Sequence, residues 1–204
     1  MENQTELEAA KTFLESRPDI TDNFQITIAS KRKPKIILYN INKDINAEQL
    51  LEGLLEKNVI LSNTKNEALI KVDFPIEPRG RDIKHWVVTV EPVIFKDKSG
   101  LYFEWGRVRF TEFIGIKQCR TCAAFAHTAK DCPDREKPTC GDCSQPYKEG
   151  HSCRVQRCKN CVLANEKFWA GWGVRHSVFD RQCMSYQRQR EIITKRTDYG
   201  FKRT

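Results

Sequence analysis

Residues 119–132 read CRTCAAFAHTAKDC, and their spacing, C-x2-C-x4-H-x4-C, sets the frame for the rest of the chain. Cys119, Cys122, His127 and Cys132 bring three thiols and an imidazole into one short segment, a compact way to surround one tetrahedral Zn2+. Residues 140–153, CGDCSQPYKEGHSC, keep the outer C-x2-C-x9-C frame with Cys140, Cys143 and Cys153. Here the histidine, His151, lies seven residues beyond the second cysteine, and Gly150 permits the turn this needs. A third set opens at CKNC with Cys158 and Cys161 and takes His176 and Cys183, as C-x2-C-x14-H-x6-C, with the insert EKFWAGWG expected as a projecting loop.

Nine cysteines and three of the four histidines make twelve ligands, enough for three four-coordinate zinc ions with no thiol left over. Disulfide pairing would strand one cysteine, and a cysteine-rich chain without a secretory start points to a reducing compartment, cytoplasmic, nuclear or both. Crossed ligands between neighbouring sites form the competing assignment. A Cys3His shell is closed, which favours a structural metal over a catalytic one. The zinc-deaminase pattern needs H-x-E, whereas His85, His127, His151 and His176 are followed two residues later by Val87, Ala129, Cys153 and Val178. Nothing else in the sequence makes a nucleophile and base pair or a phosphate-cradling glycine loop, so the expectation is a protein that is not an enzyme.

Charge divides the chain at the same place. Of its 204 residues, 1–117 hold 18 basic and 18 acidic side chains; 118–204 hold 17 basic against nine acidic, the whole net of +8. Three Cys3His zinc sites would each add roughly −1 and still leave the region about +5. A basic, metal-stapled half suits a polyanion partner, single-stranded RNA or DNA. No run of 18 apolar residues occurs, and the start, MENQTELEAAKTFLES, is acidic and amphipathic, so neither a membrane span nor a secretory signal is expected.

Upstream, residues 1–33 read as a short helix ending before Pro18 and a basic linker. Over 34–117, KIILYNI reads as a strand, and NAEQLLEGLLEKN as a helix capped by Asn46 with Gln49 at the capping-box position. EALIKVDFPI and KHWVVTVEP read as two strands around the RGRD turn. EPVIFKDKSG leaves room for a short helix, and LYFEWGRVRFTEF for a fourth strand or a bent pair. The expected fold class is α+β: a β-α-β-β-α-β sandwich like an RNA-recognition motif, followed by small zinc-stapled modules at 118–184 and a basic helix or tail at 185–204. Where such a sheet normally exposes a stacking aromatic, the first strand has Ile37, and Trp86 and His85 are expected to pack rather than to bind.

Zinc knuckles hold a few aromatic and basic side chains within reach of unstacked bases and phosphates. The candidate rings are Phe125 in the first knuckle, Tyr147 in the second, and Trp169 and Trp172 in the third, the tryptophans alternatively serving as an apolar cover for the metal site. Arg120, Lys130, Arg154 and Arg157 are the candidate phosphate or base contacts.

HWVVTVEP, GRVRFTEFIGIKQCRTCAAFAHTAKDC and HSVFDRQCMSYQRQREI resemble the Gag-like protein encoded by the first open reading frame of non-long-terminal-repeat retrotransposons of the jockey type and their insect relatives. The likeness covers roughly residues 35–190, in the family's order: a divergent RNA-recognition-like domain, then three CCHC knuckles. It implies packaging of the element's RNA into a ribonucleoprotein, self-association, nucleic-acid chaperone activity and association with a reverse transcriptase. The family's first knuckle commonly has an aromatic after the first cysteine and glycines flanking the turn, where this chain has Arg120, Ala123 and Ala126. A turn needing positive φ would disfavour Ala against Gly by roughly 1 kcal/mol. These departures also suit a host-adopted copy. The competing functions are a protein-interaction adaptor whose zinc modules and tryptophan loop dock a partner, and a zinc-organised accessory subunit of an RNA-processing enzyme.

Overall fold

The computed structural model describes residues 2–28, 30–96 and 100–200, and the chain divides into two compact units, residues 1–32 and 33–204. Residues 97–99 of EPVIFKDKSG and the last four residues of the basic tail lie outside the described residues. The first unit holds α1 (Glu2–Glu15) and the one-turn α2 (Pro18–Thr21), where Pro18 supplies a preset φ and lacks an N–H that the first turn would leave unpaired. No helix among the described residues is long and apolar enough to cross a membrane.

The second unit is mixed α+β. β1 (Lys35–Asn42), α3 (Ala47–Lys57), a 3-10 turn (Val59–Leu61), β2 (Ile70–Ile76), β3 (Ile83–Val90) and α4 (Pro92–Lys96) follow in order. Asn46 and Gln49 form the expected capping box: the Asn46 side chain accepts from Gln49 N, and the Gln49 side chain from Asn46 N, at 2.9 and 3.0 Å. The fourth strand is broken into three short pieces, β4 (Leu101–Phe103), β5 (Gly106–Val108) and β6 (Phe110–Glu112). β4 and β5 close a separate hairpin, and β6 joins the main antiparallel sheet in the order β2-β3-β1-β6.

Ile36, Leu38, Trp86, Val88 and Val90 alternate onto the helix-bearing face and pack with Leu50, Leu54, Ile94 and Phe95. The opposite face is closed at its centre. A row runs Thr111, Ile37, Val87, Phe74 across four strands, Val87 is 0% exposed, and Phe113 meets the Phe74 ring edge-on at 6.0 Å. His85 lies edge-on to Tyr39 at 5.0 Å and accepts from Asn40 N through Nδ1.

The C-terminal segment returns to this core. After α5 (Lys159–Phe168) and α6 (Met184–Lys195), Tyr199 is 5% exposed, stacks at a tilt on Phe95 at 4.9 Å and donates its hydroxyl to Glu112. Lys195 and Arg196 remain exposed, so the basic stretch is an anchored strap in this part, a packing that its charge alone did not suggest.

Candidate metal centres

The ligand atoms of Cys119, Cys122, His127 and Cys132 lie within 4.8 Å of one another, as do those of Cys140, Cys143, His151 and Cys153 and those of Cys158, Cys161, His176 and Cys183. A tetrahedral zinc with bonds of about 2.3 Å to sulfur and about 2.0 Å to nitrogen spaces its ligands roughly 3.5–3.8 Å apart. Two of the separations here fall inside that range, Cys161 Sγ to His176 Nε2 at 3.6 Å and Cys158 Sγ to Cys183 Sγ at 3.7 Å, and two lie just below it, Cys122 Sγ to His127 Nε2 at 3.3 Å and Cys143 Sγ to His151 Nε2 at 3.1 Å. All nine cysteines are free of disulfides. The donor set and its spacing fit three zinc ions, one per group.

The first two sites share one turn. Cys119 N donates to Ala124 O and Ala123 N to Cys119 O, and the same offsets recur as Cys140 N to Gln145 O and Ser144 N to Cys140 O. Each turn places the residue after the second cysteine in the left-handed region, Ala123 and Ser144 both at φ 62°. Ala126 also has positive φ, at 79°, so both alanines where the resembled family has glycine carry the expected strain. Backbone N–H groups of Thr121 and Cys122 point at Cys119 Sγ, at 3.3 and 3.5 Å.

The third site is built on helices. Cys158 and Cys183 stand at the N-caps of α5 and α6; the Cys183 hydrogen bond and first-turn N–H groups lower the Cys158 thiol against burial, whereas at Cys183 the Cys158 hydrogen bond and burial outweigh the helix end. The expected projecting loop is therefore shorter. Residues 166–168 of the insert complete α5, because no glycine or proline interrupts it before Phe168, and only 169–173 of the insert loop out. Asn165 ties that loop at both ends of its amide, donating to Trp172 O and accepting from Trp172 N, each at 2.8 Å. Ser185 Oγ lies 3.3 Å from Cys161 Sγ, a second-layer contact that orients a ligand.

Hydrogen bonds fuse the three sites into one block. Gln118 Nε2 donates to Val178 O, Asn160 Nδ2 to Ala123 O, Thr139 N to Thr121 O, and Val178 N to Gly141 O. Ser144 Oγ accepts from Lys159 N and donates to Arg157 O, joining the second site to α5. Ala123 packs directly among Cys158, Cys161, Val178 and Cys183. These bridging residues were invisible to ligand spacing. Gly141 left one signal, a glycine inside a C-x2-C turn, and a Cβ there would meet the Phe179 ring at 2.7 Å.

Thiol acidity is uneven within each set. Burial opposes ionisation of Cys119, but N–H groups of Cys122 and Thr121 with the Cys132 and Cys122 thiols outweigh it and lower its pKa to about 6. The N–H groups of Cys143 and Asp142 lower Cys140 to about 7. Burial, then the Cys119 hydrogen bond, raises Cys132 to about 11; the Cys158 hydrogen bond, then burial, raises Cys183 to about 12. A divalent cation that holds all four ligands must displace the protons these later thiols retain.

Of the candidate nucleic-acid contacts, Arg120, Lys130, Tyr147, Arg154, Arg157 and Trp169 are exposed, with Trp169 at 90%. Phe125 is half-buried and bridges to Gln118 in the first turn. Trp172 is half-buried against the third site, so one of the paired tryptophans covers the metal and the other stands in solvent.

Fold and sites together define a mixed α+β chain with an antiparallel sheet and three Cys3His groups able to hold metal. The chain is similar to the "Uncharacterized 50 kDa protein in type I retrotransposable element R1DM" of Drosophila melanogaster, 22% identical over 183 residues, which is 87% of this chain. It spans 36% of that relative's length. This weak likeness is consistent with a retrotransposon origin. No family model and no solved structure matches the chain.

Proposed function

We propose that this chain is a zinc-dependent single-stranded nucleic-acid-binding protein, Gag-like in character, that assembles the RNA of a retrotransposon or of a host-adopted derivative into a ribonucleoprotein. The observation that carries this reading is the fused block itself: three metal groups locked together, carrying exposed Arg120, Lys130, Arg154 and Arg157 beside Tyr147 and Trp169. Guanidinium and ammonium groups neutralise phosphates, and rings held by a rigid metal site stack on bases. The sheet order β2-β3-β1-β6 supports a divergent RNA-recognition-like domain whose stacking position is closed by Ile37 and Val87. In this reading the sheet contributes shape and assembly contacts, and the zinc block binds. Self-association and a reverse-transcriptase partner belong to the same proposal, as does the absence of enzymatic activity.

Fluorescence anisotropy of a labelled single-stranded RNA, over a salt series and with chelated protein as control, tests it. Affinity should fall log-linearly with salt and vanish on chelation. Failure of the zinc-loaded protein to bind at low salt would sink the proposal. A protein-interaction adaptor is the second reading, favoured by Phe168 and Trp169, both largely exposed at the end of α5; it predicts salt-insensitive capture of a partner protein.

A further inference from the structure

The β4–β5 hairpin carries a feature that the zinc block does not explain. Phe103 pairs with Gly106, which leaves Glu104 and Trp105 as a two-residue turn. Glu104 sits at φ 50°, a left-handed position normally given to Gly or Asn in such turns. The turn presents Trp105 fully to water, at 102% exposure. An indole with no packing in its own fold gains nothing from burial there, and its place at the tip of a strained turn leaves both of its faces open to a ligand.

Beside the tip lies a groove of about 570 Å3, lined among others by Trp105, Arg107, Arg109, Tyr39, Asn40 and Asn42. Arg107 and Arg109 are exposed and line the groove together with Trp105, while Val108 packs against the core. Gly100, at φ 95°, makes room for Arg107: a Cβ there would meet Arg107 Nε at 2.7 Å. Across the groove, Asn40 also takes positive φ, at 59°, where the β1–β3 register shifts. Glu104 is the one carboxylate in the lining, and neither arginine makes a salt bridge among the described residues.

We infer that this groove is a second contact site for single-stranded nucleic acid, with an unpaired base stacked on Trp105, phosphate held by Arg107 and Arg109, and the Asn40 amide and the Nδ2 of Asn42, whose Oδ1 accepts from Asp44 N, facing base edges. It rests on the nucleic-acid-binding reading above and gives the sheet domain a binding role outside the closed centre of its sheet. A flat π-face, two unpaired guanidinium groups and two amides match a nucleotide in each of its parts. An apolar peptide would leave both arginines desolvated without a partner.

The test uses the full zinc-loaded chain and a fluorescein-labelled, unstructured single-stranded RNA. Trp105→Ala should weaken binding by about 5- to 150-fold, the span of one lost base stack, while Trp105→Phe retains most of the affinity. Arg109→Gln should reduce the salt slope by about one. RNA bearing 4-thiouridine should crosslink to the peptide containing Trp105. If the parent protein binds RNA and both Trp105→Ala and Arg109→Gln match it in affinity and slope, the groove is not a site although the chain still binds. If the zinc-loaded parent binds no RNA, the groove and the broader reading fall together.

Discussion

The first and third metal sites start from the same letters, C-x2-C, and end in different structures. After Cys122 the chain reverses through Ala123 and Ala126 in the left-handed region, because His127 must come back to the metal after only four residues. After Cys161 it continues as α5 to Phe168, because His176 is fourteen residues away and the helix can form before the return. AAFA is as good a helix former as VLAN, so propensity does not separate them. Ligand spacing does, since closing a four-ligand shell outweighs the roughly 1–2 kcal/mol that a left-handed alanine costs. The consequences differ as well: the first site clusters its three cysteines within one short segment, whereas the third launches α6, which leads to Tyr199 in the core of the sheet domain.

Metal removal gives the largest test of this contrast. A structural zinc contributes on the order of 10–16 kcal/mol at neutral pH, and the buried residues of the first site are its three cysteines, with Ala123 packed against the third site. Chelation should therefore abolish hydrogen-exchange protection across 118–183 while β1 and β3 keep theirs, measured by mass spectrometry. Loss of protection throughout the sheet would show that its core depends on the metal block. Acid should act in the same direction. With Cys132 at about 11 and Cys183 at about 12, zinc binding at neutral pH releases their protons, so affinity falls by roughly tenfold per unit drop in pH for each proton released. Competition with a chromophoric chelator across roughly pH 6–8 would measure that slope.

Next in size is the strap. Tyr199→Ala removes a ring buried against Phe95 and should cost about 3 kcal/mol in urea unfolding of the sheet domain; a change below about 0.5 kcal/mol would mean that the strap is not part of that core. The paired tryptophans sharpen the third site. Trp172→Ala should destabilise it by about 2 kcal/mol through lost packing, and Trp169→Ala, in solvent, should stay within about 0.5 kcal/mol. Equal effects on the thermal transition would remove that distinction.

The smallest contrast lies inside the first turn. Ala126 is exposed at φ 79°, so Ala126→Gly should stabilise the zinc-bound state by about 1 kcal/mol. Ala123 has the same kind of backbone, but its methyl is buried against the third site, and losing it costs about 0.8 kcal/mol. Ala123→Gly should come out near neutral. Zinc affinities of the two variants, measured side by side, would break the comparison if they moved together.

Much of this was legible in the residues. Three ligand sets, one per zinc, followed from the count and spacing of cysteine and histidine, since a metal needs few ligand types at short range. Asn46 and Gln49 announced the start of α3, and the apolar, β-prone runs of β1 and β3 announced two strands of the sheet, because capping and strand propensity are local. Trp105 was not legible: LYFEWGRVRFTEF read as a fourth strand or a bent pair, and nothing in the linear pattern separated the exposed Trp105 from Phe103, whose ring is buried.

What the sequence alone determined is the metal chemistry and the identity of most elements, both encoded over a few consecutive residues. Only the tertiary structure decided that the three sites form one block through Gln118, Asn160 and Ser144, that Trp172 covers a metal site while Trp169 does not, and that Tyr199 returns to a sheet that ends at Glu112. Those outcomes depend on hydrogen bonds and packing between segments tens of residues apart, whose partners carry no periodicity to read.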